Sequence, residues 1–235
     1  MCDNHFDTSL SRRHALMLAG AGMLAAAPLG SMARAQPASA AGTPDEALKL
    51  LVEGNARYAA NDPRERDFSA GRANRALGQA PFAAILGCAD SRVAPELAFD
   101  QNPGDLFVVR VAGNFVTADG LGSLEYGAAV LGTKVIMVLG HSSCGAVKAT
   151  VGALQKGNDL PGHIADLVRA MKPAIDPVLT KSGDDLEQRA VIANVRYNVE
   201  QLGKAGPILS EMVAKKQLRV VGGVYDLASG KVTLV

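Results

Sequence analysis

Cysteine and histidine are scarce, with three Cys and four His in 235 residues. A strong charge of either sign is also missing, because 24 Lys and Arg face 23 Asp and Glu. With that balance and no basic run, nothing points to nucleic acid or a membrane surface as a partner. No long hydrophobic run is present either. The N-terminal one, Ala15 to Leu29, is broken by Gly20, Gly22 and Pro28 and falls short of the ~20 residues that a membrane-spanning helix needs. No repeat and no second domain can be read from the chain.

What is there begins with a leader. Arg12 and Arg13 precede the apolar run, which ends in the small-x-small site Ala33-Arg34-Ala35. This layout is that of a secretory signal peptide over residues 1–35, resembling the twin-arginine type, and the general secretory route is the alternative. The expectation is an exported, periplasmic protein without a stable membrane anchor. Cleavage after Ala35 leaves 200 residues with 21 basic and 21 acidic side chains. That length suits one domain with a core large enough to be stable without disulfides. Cys2, His5 and His14 depart with the leader, so the remaining chain owns Cys88, Cys144, His141 and His163.

Residues 36–42 read as a flexible leader into a domain over 43–235. A helix over about 43–60 starts with Thr43 as N-cap, Pro44 at the first position and Glu46 completing a capping box. The polar stretch 61–75 reads as loop. Four apolar runs, 81–88, 105–113, 133–141 and 217–226, read as strands, and their near-continuous apolar content predicts burial on both faces. Helical patterns cover 121–132 and 146–154, and a longer region, 163–216, is interrupted at Pro173, Pro177 and Pro207. The last six residues read as a hairpin or edge strand. The alternation predicts an α/β fold with a central, mostly parallel β-sheet flanked by α-helices.

Two of these runs end on chemistry. The first leads into GCADSRV, with Cys88, Asp90 and Arg92; the third leads into GHSSCGAV, with His141 and Cys144. Ligands collect outside the carboxyl ends of strands in open α/β sheets. Two thiolates and one imidazole suit Zn²⁺, and three protein ligands leave a fourth position for water or substrate. Asp90 could instead fill that position. A Cys88–Cys144 disulfide is the rival in an oxidising compartment, but the His-x-x-Cys spacing and the Asp-x-Arg beside Cys88 favour a metal.

CADSRV and HSSCG, with 52 residues between Cys88 and His141, resemble the β-class carbonic anhydrases. The likeness runs on through residues 81–114, LGSLEYGAAVLG and YDLASGKV, covering the chain from about residue 45. It implies one Zn²⁺ per subunit on Cys88, His141 and Cys144, and a catalytic Asp90–Arg92 dyad. It further implies Gln79 as a substrate contact, Phe107 and Tyr126 as pocket lining often shared across a subunit boundary, and Gly145 as backbone close to the metal. The implied reaction is reversible hydration of CO2 to bicarbonate and a proton by zinc-bound hydroxide, in a homodimer or homotetramer onto which the helix at 43–60 packs. The alternatives are an enzyme of the same scaffold acting on CS2 or COS, and a non-catalytic zinc-binding protein.

Overall fold

All four apolar runs become strands. The computed structural model describes residues 40–235 apart from 159 and 182, so the leader predicted over residues 1–35 lies outside the described residues. The strands are β1 (Ala83–Gly87), β2 (Leu106–Arg110), β3 (Val135–His141) and β4 (Arg219–Tyr225), with a short β5 (Val232–Leu234). They form one sheet in the order β2-β1-β3-β4-β5. The first four run parallel, and β5 returns antiparallel on β4 as the expected edge strand. Every residue of β1 and β3 is buried, as the two-sided apolar runs predict.

Side chains alternate across these strands, so each strand feeds two cores. Ala84, Leu86, Ile136 and Val138 point into one, and Ala83, Ile85, Val135, Met137 and Leu139 into the other. The first is covered by α4 (Ala118–Ala129), α5 (Gly145–Lys156), α6 (Ile164–Ile175) and α7 (Leu186–Lys204). The second is covered mainly by α1 (Pro44–Ala59), which opens with the predicted capping box. Thr43 Oγ1 accepts from Glu46 N, and the Glu46 carboxylate accepts from Thr43 N. Two short helices, α2 (Arg72–Arg75) and α3 (Pro95–Ala98), lie in the connections, and α8 (Ile208–Ala214) precedes β4.

Some boundaries differ from the sequence reading for local reasons. Helix α4 starts three residues early because Thr117 caps it, accepting from Gly120 N at 3.0 Å. Pro173 lies inside α6, which is not interrupted there and ends two residues later at Ile175. The stretch read as loop over 61–75 gains one helical turn at α2. Among the described residues no helix is long and apolar enough to cross a membrane.

Helix α1 approaches the turn after α3 so closely that a Cβ at Gly54 would stand 1.8 Å from the Phe99 carbonyl oxygen. That contact is locked by Asp100, whose side chain is fully buried. It accepts from Arg57 Nε at 2.6 Å, from the Arg66 guanidinium and from Arg64 N. Burial alone would raise the Asp100 pKa, but Arg57 and Arg66 overcome it and hold the carboxyl below its usual range. Asp100→Asn should therefore cost about 3 kcal/mol in urea unfolding at neutral pH, because two guanidinium groups lose their buried partner. The wild-type advantage is present above the unfolded carboxylate pKa and is lost as pH falls through the lower folded value. A variant as stable as wild type at pH 7 would contradict this.

Candidate metal centre

The chain order of the sheet places a change of winding between β1 and β3, the middle pair of its four parallel strands. From β1 the chain moves outward to β2, then crosses back to β3 on the other side. The carboxyl ends of β1 and β3 therefore diverge into a crevice, where open α/β sheets hold their ligands. Cys88 follows the last residue of β1, His141 is the last residue of β3, and Cys144 is the N-cap of α5. Ser143 turns the chain between them with φ of +54°.

One ligand atom from each of Cys88, His141 and Cys144 lies within 4.8 Å of the others, and all three residues are buried. Both cysteines are free thiols, so the disulfide alternative is not realised. The ring Nδ1 of His141 donates to the Ser142 carbonyl at 2.9 Å. This leaves Nε2 as the lone-pair nitrogen, buried without a hydrogen-bond partner. A buried polar atom in that state costs free energy unless something binds it. Two soft sulfurs and one such nitrogen form a donor set that suits zinc.

The thiols are unequal. The Cys144 thiol, able to donate to Cys88, brings Cys88 down to about 4 against its burial, with further help from the neighbouring His141 ring and from Gly113 N at 3.3 Å from its Sγ. Cys144 is pushed up, because it gives that hydrogen bond and is buried. The thiol pair thus shares a proton that a metal must displace. Zinc uptake at pH 7 should release about one to two protons per site, and affinity should rise with pH. Calorimetry in buffers of differing ionisation enthalpy reads this directly, and uptake without proton release would contradict it.

Asp90 stands beside the triangle, its Oδ2 3.8 Å from His141 Nε2. Arg92 grips it as a fork, Nε to Oδ1 at 2.9 Å and Nη2 to Oδ2 at 2.7 Å, and its backbone N adds a third bond. This hydrogen bonding holds the Asp90 carboxyl well below the usual carboxylate range, so it is ionised. Arg92 Nη2 also reaches the Ser143 carbonyl at 3.4 Å, tying the two ligand loops together. Gly145, first residue of α5, is exposed, and a Cβ there would meet nothing within 4 Å. A side chain at position 145 would therefore point into open space.

Of the remaining candidates, Phe107 is partly buried against the core that contains Cys88 and Cys144, and the others lie at the surface. Phe107 on β2 and Tyr126 on α4 pair with ring centroids 6.4 Å apart. Tyr126 is 48% exposed. Neither shares a hydrogen bond, ion pair or ring contact with the three ligands. Gln79 is exposed and lines an open concavity of about 950 Å³ with Asp67, Arg75, Asn102 and Asp105. His163 is fully exposed and bonded to Asp166.

Sequence reasoning missed the support behind Cys88. Asn194 Nδ2 donates to the Gly113 carbonyl at 2.7 Å, and Asn198 Oδ1 accepts from Val116 N at 2.8 Å. These two α7 side chains hold the strap whose Gly113 N–H points at Cys88 Sγ. Their signal was two asparagines four residues apart on the apolar face of Val191 and Val195.

A family model described as "Carbonic anhydrase" matches residues 83–232. The chain is 41% identical over 196 residues to "Carbonic anhydrase 2" of Mycobacterium tuberculosis, spanning 81% of this chain and 92% of that protein. It is 37% identical over 171 residues to a carbonic anhydrase of Pseudomonas aeruginosa, spanning 67% and 74%. A solved structure of a Coccomyxa beta-carbonic anhydrase in complex with acetazolamide superposes with a TM-score of 0.64 at 30% identity, covering 83% of this chain and 87% of that one.

Proposed function

The chain belongs to the β-class carbonic anhydrases, enzymes of the reversible hydration of CO2, and from that premise we propose that it works with one Zn²⁺ held by Cys88, His141 and Cys144. The observation that carries this reading is His141 Nε2, buried, unpartnered and facing two buried thiols. Zinc, when bound, acts as a Lewis acid that brings the pKa of a water molecule toward neutrality and so supplies a nucleophile. Two thiolates cancel the formal charge of that ion, so this chain's own residues must contribute more than neutral ligands would require.

Asp90 is the first of these. Its ionised carboxylate, held by the Arg92 fork, accepts a hydrogen bond from the nucleophilic water and aims a lone pair at the carbon of CO2. Gln79 donates to the oxygen that gains charge as bicarbonate forms. Phe107 and Tyr126 offer an apolar surface to an apolar gas, with Gly145 leaving room beside Cys144. Because Gln79 and Tyr126 are exposed on this chain, a second copy brings them to a shared site, in a homodimer or homotetramer. The half-exposed Tyr126 on α4, Val130 just after it and Val52 on α1 support such an interface.

The intact Arg92 fork favours the form in which Asp90 stays off the metal. X-ray absorption at the zinc edge near pH 8 should report two sulfurs, one nitrogen and one light, water-like ligand. A carboxylate as the fourth ligand would contradict the open form.

The leader argues for export to the periplasm. The twin-arginine route carries folded proteins, which would let zinc occupy the site before an oxidising compartment pairs Cys88 with Cys144. Arg12, Arg13 and the small-x-small site at Ala33 to Ala35 are what support this reading.

A further inference from the structure

We propose that Arg110 is a positioning residue for this reaction, a clamp that fixes the backbone of the loop carrying both Cys88 and Asp90. The inference rests on the reading of Asp90 given above. Arg110 is the last residue of β2 and lies in register with Gly87, the last residue of β1. From there its guanidinium reaches across the loop that leaves β1. Nε donates to the Cys88 carbonyl at 2.9 Å, and Nη2 donates to the Asp90 carbonyl at 2.7 Å and the Val93 carbonyl at 2.9 Å.

Other ties hold the loop in part: Val93 is buried in the second core, Arg92 Nη2 reaches the Ser143 carbonyl at 3.4 Å, and the Asp90 backbone N–H serves Cys88. The loop is also tied to β2 by Ala89 N on the Val111 carbonyl at 3.2 Å and closed on itself by Val93 N on the Asp90 carbonyl at 3.1 Å. Asp90 is gripped at its side chain only from Arg92, itself 54% exposed. A side-chain grip sets where the carboxylate points relative to Arg92, but not where the pair stands relative to Cys88. That distance is set by the backbone, and Arg110 bonds the carbonyls of residues 88 and 90 at once. Charge assistance strengthens each of these bonds over a neutral one.

Only arginine suits the task, because its planar fork presents separate donors along fixed directions, whereas lysine offers one compact nitrogen. Arg110 is also exposed and packs no core. Its removal therefore opens no buried cavity, so its effect should be felt in the loop and not in the fold.

The test compares full-length, zinc-loaded wild type with Arg110→Ala and Arg110→Lys. Both variants should keep one zinc per chain, with kcat for CO2 hydration down about 10- to 100-fold and KM little changed, the range seen when support behind a metal ligand is removed. Amides 89–93 should exchange faster with deuterium in both variants. Guanidinium ion, below concentrations that unfold wild type, should restore part of the Arg110→Ala rate and slow that exchange. Unchanged exchange at 89–93, a wild-type kcat, or a loss of rate matched by lost zinc would each overturn the clamp. A zinc-loaded wild type that hydrates no CO2 would overturn the underlying reading instead, and the exchange data would still judge the clamp.

Discussion

Cys144→Ser should yield a folded chain that holds no stoichiometric zinc and hydrates CO2 at less than about a thousandth of the wild-type rate, since the reaction then loses its source of hydroxide at neutral pH. The substitution is nearly isosteric, so the buried site keeps its shape. Residue 144 caps α5, and serine is a preferred N-cap, so the helix should not fray. What changes is the donor: a soft thiolate becomes a hydroxyl that does not ionise at neutral pH. Two protein ligands then remain, too few for a tight tetrahedral site. Circular dichroism, metal analysis and stopped-flow rates together separate this outcome from misfolding. Undiminished activity in the variant would refute the metal assignment at once.

Asp90→Asn should keep zinc at one ion per chain and lower kcat by about 10²- to 10³-fold, in the range of a lost acid–base or hydrogen-bonding partner in the transition state. The carboxylate offers two anionic oxygens, both engaged by Arg92, with Oδ2 also 3.8 Å from His141 Nε2. An asparagine has one acceptor oxygen and a donating amide. If the oxygen serves Arg92, the amide faces the nucleophile and offers a proton where acceptance is required. Wild-type kcat in this variant would remove Asp90 from the mechanism. Loss of zinc would make it a structural support of the site.

The two fully buried strands were legible because a short, near-continuous apolar run within an α/β alternation must be covered on both faces. The candidate metal centre was legible for a related reason. Cys88 and His141 each stand where such a run stops, so the strand ends locate them without knowledge of the sheet order. The order itself, with β1 between β2 and β3, cannot be read from local pattern, because it depends on which way each crossover packs. Contacts that join distant segments were equally hidden. The Asp100 cluster needs α1 to lie against the turn after α3, and Asn194 needs α7 to lie over Gly113. Gln79 and Tyr126 show the opposite limit. The resemblance named them as site residues, yet one chain places them on its exposed surface; in the proposed reading a second copy brings them to a site.

The most direct measurement is stopped-flow CO2 hydration by the full chain, stripped of metal under reducing conditions and then titrated with zinc. Activity should rise from the uncatalysed background in proportion to zinc bound and level off at one ion per chain. Activity that survives removal of the metal, or a chain with one bound zinc that hydrates no CO2, would contradict the account.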